Sequence, residues 1–113
     1  VEFHPVIEPF ADSKHLDLDG PYFYNEEPDE WKLDGTYAEP GALVSNRSYQ
    51  WRHPIGDVVS ALVEAGLVVD FLHEHPDVHE QMRPWLVRGP DGRYRAPRDG
   101  LPVLYSLMAH KPL

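Results

Sequence analysis

The sequence predicts an α/β fold in which one helix packs against a sheet and the last strands of that sheet follow it. Apolar residues recur at helical spacing over residues 54–65. A run of mixed apolar and charged residues at 67–75 is typical of an edge strand. A nearly continuous apolar run at 102–110 is typical of a strand covered on both faces.

The helix is the element with the clearest signals. Its apolar positions are offset by 0, 3, 4, 7 and 8 residues from the first, which places them on one face; they are Ile55, Val58, Val59, Leu62 and Val63. Pro54 suits the first helical position, and Asp57 complements the positive end of the helix dipole. Gly66 can adopt the left-handed conformation that ends a helix.

The segments after the helix read as strands and a turn. Asp70 and Glu74 share one face of the 67–75 run with apolar residues, which favours the edge of a sheet. A β-turn at 90–92 predicts a small hairpin with arms at 85–87 and 94–95.

The first 53 residues show no clear helical period. The opening residues resemble the end of a strand that Pro5 stops, and we expect them to belong to a longer protein. Residues 26–30 predict a charged loop, and polar and aromatic residues alternate over 48–52, as in a strand with one buried face. A long irregular stretch of this kind often forms a lid or a binding loop.

Composition excludes several classes of protein. The net charge is −9, which argues against a nucleic-acid-binding domain and against an anionic membrane surface as partners. There is no cysteine and therefore no disulfide, thiolate metal cluster or cysteine nucleophile. No apolar run approaches the roughly 20 residues that span a bilayer. We expect a cytoplasmic protein.

The charge is concentrated in the first part of the chain. Residues 1–46 hold 11 acids and 2 bases, whereas residues 47–113 hold 8 of each. Two interpretations are open: a solvated acidic loop, or an acidic opening that attracts a cationic substrate.

Candidate site residues come from position and residue type, because no glycine-rich phosphate loop or nucleophile elbow is present. His4 follows a strand and His53 precedes the helix, so either could contact a ligand or act as a base; the alternative is a hydrogen-bonded loop histidine. Tyr49 and Trp51 could line a ligand pocket or pack in a core or lid. His73, His75 and His79 could share a metal, but Pro76 interrupts them, so we assign no metal site.

Three stretches carry a resemblance to a known family. The stretches are residues 34–38, residues 49–67, which begin with Tyr49-Gln50-Trp51-Arg52-His53, and Phe71-Leu72-His73-Glu74. They look like the C-terminal part of class I S-adenosylmethionine-dependent methyltransferases. The likeness is strongest to a bacterial group that acts on small molecules. The opening Glu2-Phe3-His4-Pro5 resembles the end of the fifth strand in that group.

The resemblance implies a Rossmann-like sheet in the strand order 3-2-1-4-5-7-6, with strand 7 antiparallel. Residues 1–3 would end strand 5, residues 54–65 would form the last helix, and 67–75 and 102–110 would be strands 6 and 7. It divides the chain into an acceptor-side loop region, 1–53, and the last helix with the strand 6/7 hairpin, 54–113. The family's glycine-rich cofactor loop is absent, so the cofactor-binding half is missing.

The function implied is methyl transfer from S-adenosylmethionine to a small-molecule acceptor, by a parent protein of which this chain alone is inactive. No residue here is assigned to the cofactor. The candidate acceptor-binding residues are His4, Tyr22, Tyr24, Tyr49, Trp51 and His53. The alternative is a non-catalytic binding or oligomerisation domain, and uncovered sheet edges lead us to expect homodimers.

Overall fold

The structure is a computed structural model that describes residues 1–10, 15–18, 20–34 and 45–113, apart from the side chains of 31–34 and 45–46. The chain divides into two units. The larger contains Val1–Tyr22 and His53–Leu113, and the smaller contains Phe23–Arg52. Within the described ranges, no helix is long and apolar enough to cross a bilayer.

The main sheet of the larger unit has three strands in the order β1-β8-β4. They are β1 (Glu2–Phe3), β4 (Val68–His75) and β8 (Leu104–His110). The central strand β8 runs antiparallel to both neighbours. The prediction that the 67–75 strand lies at a sheet edge is therefore confirmed. The fold is a mixed α/β one with antiparallel sheets and one α-helix in the described part of the chain.

The helix α1 (Ile55–Glu64) confirms the helical periodicity. Pro54 is wrongly predicted as its first residue: it precedes the helix in an extended conformation (φ −54°, ψ 149°), because a fixed φ suits the cap position equally well. Gly66 has φ +84° and ends the helix as predicted. The N–H groups of Gly66 and Leu67 donate to the carbonyls of Val63 and Leu62, which is a Schellman motif.

Strand β8 differs from its prediction in burial. It is central, but none of its residues is fully buried, and the side chain of Met108 is 55% exposed. An apolar run shows that both faces of a strand can be buried. Burial also requires other elements that pack on those faces, and the run itself does not provide them. The prediction of coverage on both faces is therefore wrong for this chain.

Between β4 and β8 the chain forms a second, small sheet. It has the order β5-β7-β6, with β5 at Asp77–Val78, β6 at Val87–Arg88 and β7 at Tyr94–Arg95. The predicted hairpin is confirmed as the β6–β7 pair, and Gly92 at φ +80° makes its turn. Ion pairs fix this sheet: Asp77 binds Arg93 at 2.8 Å, and Asp91 binds Arg95 at 2.6 Å. The hydrogen bond from Arg95 holds the pKa of Asp91 well below its usual value.

The hydrophobic core lies beside this small sheet and the end of β1. Its buried side chains are Ile7, Val78, Trp85, Leu86, Ala96 and Val103. A 3₁₀ helix over Pro5–Phe10 delivers Ile7, and the indole N–H of Trp85 donates to the carbonyl of Phe10 at 2.7 Å. The helix α1 contributes no buried residue. Burial is therefore concentrated at one end of the main sheet.

The smaller unit is a β-hairpin that the sequence did not predict as such. Strand β2 (Asp29–Asp34) pairs antiparallel with β3 (Ser45–Gln50). The predicted strand at 48–52 corresponds to β3, although it begins earlier and ends at residue 50. The predicted charged loop at 26–30 is wrong for Asp29 and Glu30, which begin β2. Charged residues are tolerated there because Asp29 pairs with Arg52 and Glu30 with Arg47.

A valine truncation distinguishes the core from the surface. Val103 is 0% exposed and Val87 is 56% exposed, although both belong to extended segments of the same unit. We expect Val103→Ala to lower the free energy of unfolding by about 2 kcal/mol, since it removes buried methyl groups. We expect Val87→Ala to change it by less than about 0.5 kcal/mol. Urea unfolding followed by circular dichroism measures both, and equal effects would contradict the assigned core.

Candidate functional site

A buried histidine lies where the main sheet meets the core. His4 follows β1 and is only 4% exposed. Its Nδ1 accepts a hydrogen bond from the N–H of Val6 at 3.1 Å, and its Nε2 lies 2.7 Å from Oε2 of Glu74. Because Nδ1 is an acceptor, the proton of the neutral ring is on Nε2 and is donated to the Glu74 carboxylate.

The strand register explains why these residues meet. Tyr105 on β8 lies opposite Glu2 on one side and Glu74 on the other. Alternation along β1 therefore brings His4 to the face that carries Glu74. The rings of His4 and Tyr105 also meet edge to face, with centroids 5.9 Å apart. Burial, and then the charge of Glu2, raises the pKa of Tyr105 above its ordinary value.

This histidine–carboxylate pair limits what His4 can do. Both ring nitrogens are engaged, so His4 has no vacant nitrogen to offer as a base in this arrangement. The Glu74 side chain is more than half exposed and keeps further lone pairs open to solvent. Any polar contact with a ligand at this point would therefore come from Glu74, with His4 as the group that orients it. Sequence reasoning noted the charge of Glu74 but missed its partner.

An open cavity of about 180 Å³ adjoins the pair. Its wall consists of Glu74, His75, Pro76, Asp99, Gly100, Leu101 and Pro102. Arg98 and Asp99 at its rim have φ values of 59° and 51°, a left-handed conformation that is uncommon outside glycine. The cavity thus lies at the carboxyl end of β4, next to the exposed carboxylate of Glu74.

The structure places Tyr22 and His53 at the start of the helix. The hydroxyl oxygen of Tyr22 accepts a hydrogen bond from the N–H of Ile55 at 3.0 Å. This contact satisfies one of the free N–H groups that a helix N-terminus leaves unpaired. His53 lies two residues earlier and is exposed.

The other three candidates lie in the smaller unit. Tyr24, Tyr49 and Trp51 are each about half exposed. The indole N–H of Trp51 donates to the carbonyl of Glu26 at 3.2 Å, which attaches the end of β3 to the segment before β2. The structure therefore places His4, Tyr22 and His53 in one unit and these three aromatic residues in the other.

The clustered histidines make separate contacts. Nε2 of His75 lies 2.9 Å from the hydroxyl of Ser106, and the ring of His73 stacks on Phe71 with centroids 4.5 Å apart. His79 is exposed. Among the described residues, no group of three or more His, Asp or Glu side chains is arranged to hold a metal ion.

Removal of the Glu74 carboxylate tests the buried pair. We expect Glu74→Ala to lower the free energy of unfolding by about 1–3 kcal/mol, because it leaves the Nε2–H of His4 buried without an acceptor. Glu74→Gln keeps an acceptor oxygen and should cost less. Glu80→Ala, at another exposed glutamate of the same unit, is the matched control. Equal urea midpoints for Glu74→Ala and Glu80→Ala would contradict the pairing.

The raised pKa of Tyr105 predicts a late alkaline titration. A tyrosine whose pKa is raised by folding adds stability below its unfolded pKa of about 10 and loses it as the pH rises through the folded pKa. In absorbance at 295 nm, Tyr105→Phe should remove a high-pH component of tyrosinate formation. Glu2→Gln should move that component to lower pH, and Glu80→Gln should not. An unchanged profile in Tyr105→Phe would contradict the assignment.

Comparison with known proteins finds no matching family model, no matching curated protein and no matching solved structure. The function proposed next therefore depends on strand order, contacts and charge within the described residues.

Proposed function

We propose that this chain is the C-terminal part of a class I methyltransferase that transfers a methyl group from S-adenosylmethionine to a small-molecule acceptor, and that it is inactive alone. One observation carries the proposal: the sheet order β1-β8-β4, with β8 antiparallel to both neighbours. The resemblance implied strands 5, 7 and 6 in that spatial order, with the helix before strand 6. The helix α1 does precede β4.

The two edges of the main sheet support a continuation beyond β1. The outer strand β4 has a register shift between Val69 and Phe71, and Asp70 and Glu74 are exposed on it. Bulges and charges are the features that protect a true edge strand from further pairing. Strand β1 has only two residues, and its Phe3 is an exposed aromatic residue. Further strands are therefore expected to add at β1 and not at β4.

Exposed apolar side chains on the helix and sheet support the same proposal. Val63 on α1, Val68 on β4 and Met108 on β8 are all about half exposed. A helix with an apolar face normally buries that face, and α1 buries none of its residues. Additional elements of a larger domain would cover these side chains.

The separate roles of the cofactor and the protein follow from the chemistry of methyl transfer. S-adenosylmethionine supplies an electrophilic methyl group, and the acceptor's lone pair displaces the thioether in line. The protein contributes mainly position and exclusion of water. In the larger unit, the group available to the acceptor is Glu74, which His4 orients at the carboxyl end of β4. In the smaller unit, considered separately, the candidates are the exposed aromatic residues Tyr24, Tyr49 and Trp51. The cofactor would be held by the other half, in a reducing cytoplasm with which the lack of cysteine agrees.

A second candidate is a non-catalytic domain that pairs through its β1 edge with another copy. The exposed Phe3 and the short β1 favour it, because an unprotected strand edge is a template for association. This candidate predicts a stable homodimer that has no affinity for the cofactor.

Cofactor binding distinguishes the two candidates. S-adenosylhomocysteine is titrated calorimetrically into the 113-residue chain, and into the protein expressed with the coding sequence that precedes Val1. We expect no binding at millimolar ligand for the chain alone and a dissociation constant of about 1–100 μM for the longer protein. A Gly-x-Gly-x-Gly loop is expected roughly 100–130 residues upstream.

Two results would overturn the methyltransferase proposal. One is micromolar binding by the 113 residues alone. The other is a longer protein that lacks both the glycine-rich loop and cofactor binding. Sedimentation of the longer protein tests the second candidate, because only that candidate requires a dimer that persists there.

A further inference from the structure

The smaller unit exposes four aromatic side chains within 30 residues. Phe23, Tyr24, Tyr49 and Trp51, which we call the aromatic surface, are 73%, 52%, 51% and 46% exposed. Exposed apolar side chains that lie together mark binding surfaces, and Tyr49 and Trp51, two residues apart at the end of β3, lie close along the chain. The indole of Trp51 reaches the carbonyl of Glu26, so the end of β3 and the segment that contains Phe23 and Tyr24 are held side by side.

The charge next to the aromatic surface is negative. The unit contains six acidic and three basic residues, a net of −3. Its two arginines are already paired, Arg47 with Glu30 at 2.9 Å and Arg52 with Asp29 at 3.1 Å. Glu26 and Glu27 are exposed, and the described residues supply neither of them with an ion pair. The described side-chain charge next to Trp51 is therefore that of two exposed carboxylates.

We propose that the aromatic surface binds an organic cation of the substituted-ammonium class, so that the acceptor of the proposed methyl transfer carries such a group. Cation binding is argued from the hairpin's own residues alone. That the cation is the methyl acceptor rests on the proposed function. Aromatic faces attract ammonium groups through their quadrupole, most strongly for tryptophan. The N–H of Trp51 is engaged by a carbonyl, which leaves the ring face for such a contact.

Charge also excludes the main competing occupant. Nucleic-acid bases stack on exposed aromatic side chains too, but those surfaces carry basic residues for the phosphates. Here both arginines are neutralised and the adjacent acids would repel phosphate. A neutral apolar partner would use the rings without needing Glu26 and Glu27, and this difference is what the experiment measures.

The test uses two ligands of the same shape that differ in charge. Choline and its uncharged analogue 3,3-dimethylbutan-1-ol are titrated into the 113-residue chain, with affinity measured by calorimetry and location by the indole N–H resonances. We expect saturable binding of choline with a dissociation constant of about 1–10 mM, a shift of the Trp51 resonance, and at least about tenfold weaker binding of the alcohol.

Variants separate the contributions of ring and charge. Trp51→Leu should weaken choline binding at least about fivefold, and the double variant Glu26→Gln with Glu27→Gln about threefold or more. Glu80→Gln, in the larger unit, should leave it unchanged. Trp51→Phe keeps a ring and should restore part of the affinity, which separates loss of the contact from loss of the hairpin. Cross-strand nuclear Overhauser effects between β2 and β3 report that the hairpin is intact.

Equal binding of the two ligands, no saturable choline binding, or an unchanged affinity in Trp51→Leu would each overturn this inference. The outcome is independent of cofactor binding. If the longer protein binds S-adenosylhomocysteine but choline does not bind, only the cation site is wrong. If choline binds as expected and the longer protein does not bind the cofactor, the methyltransferase proposal is wrong and the cation site remains.

Discussion

The hydrogen bond between His4 and Glu74 is the contact on which the larger unit's arrangement depends. It joins residues 70 positions apart in the sequence and connects the end of β1 to the end of β4 across β8. His4 is buried, so its ring needs a partner at each nitrogen: Val6 supplies one locally, and the register of the three strands brings Glu74 to the other. The 3₁₀ helix that carries Ile7 into the core begins immediately after this residue. The cavity beside Glu74 therefore has one wall residue whose carboxylate is held by a buried partner.

Burial in this chain is uneven, and the unevenness bears on function. The core gathers the 3₁₀ helix, the small sheet and Val103 at one end of the main sheet. The helix α1 and the faces of β4 and β8 keep apolar side chains exposed. Because free energy gained on folding scales with apolar area removed from water, the first region carries most of the stability, and the second keeps apolar area that the folding of this chain leaves in water.

The sequence predicts what is local and misses what is distant. The helix, its Gly66 terminus and the edge position of β4 follow from spacing, glycine and charge within a few residues of each element. The pairing of His4 with Glu74 could not be predicted, because it requires the register of three strands. The β2–β3 hairpin was missed because four of the six residues of β2 are charged and its first two belong to a run that was interpreted as a charged loop. Alternation at Tyr49 and Trp51 indicated a strand but did not give its partner.

The four acidic side chains described in the smaller unit differ in their contacts. In the hairpin, Asp29 and Glu30 hold the two arginines and so fix the ends of paired strands, where opposite charges across a sheet stabilise pairing. Glu26 and Glu27 form no ion pair with the described residues. They are exposed in a bend next to the exposed ring of Trp51. Like charges placed together without a structural partner weaken a fold slightly, whereas they add directly to the attraction of a cation. Among the described residues, Glu26 and Glu27 are therefore the acids to which we assign the proposed selectivity of the aromatic surface for positive charge.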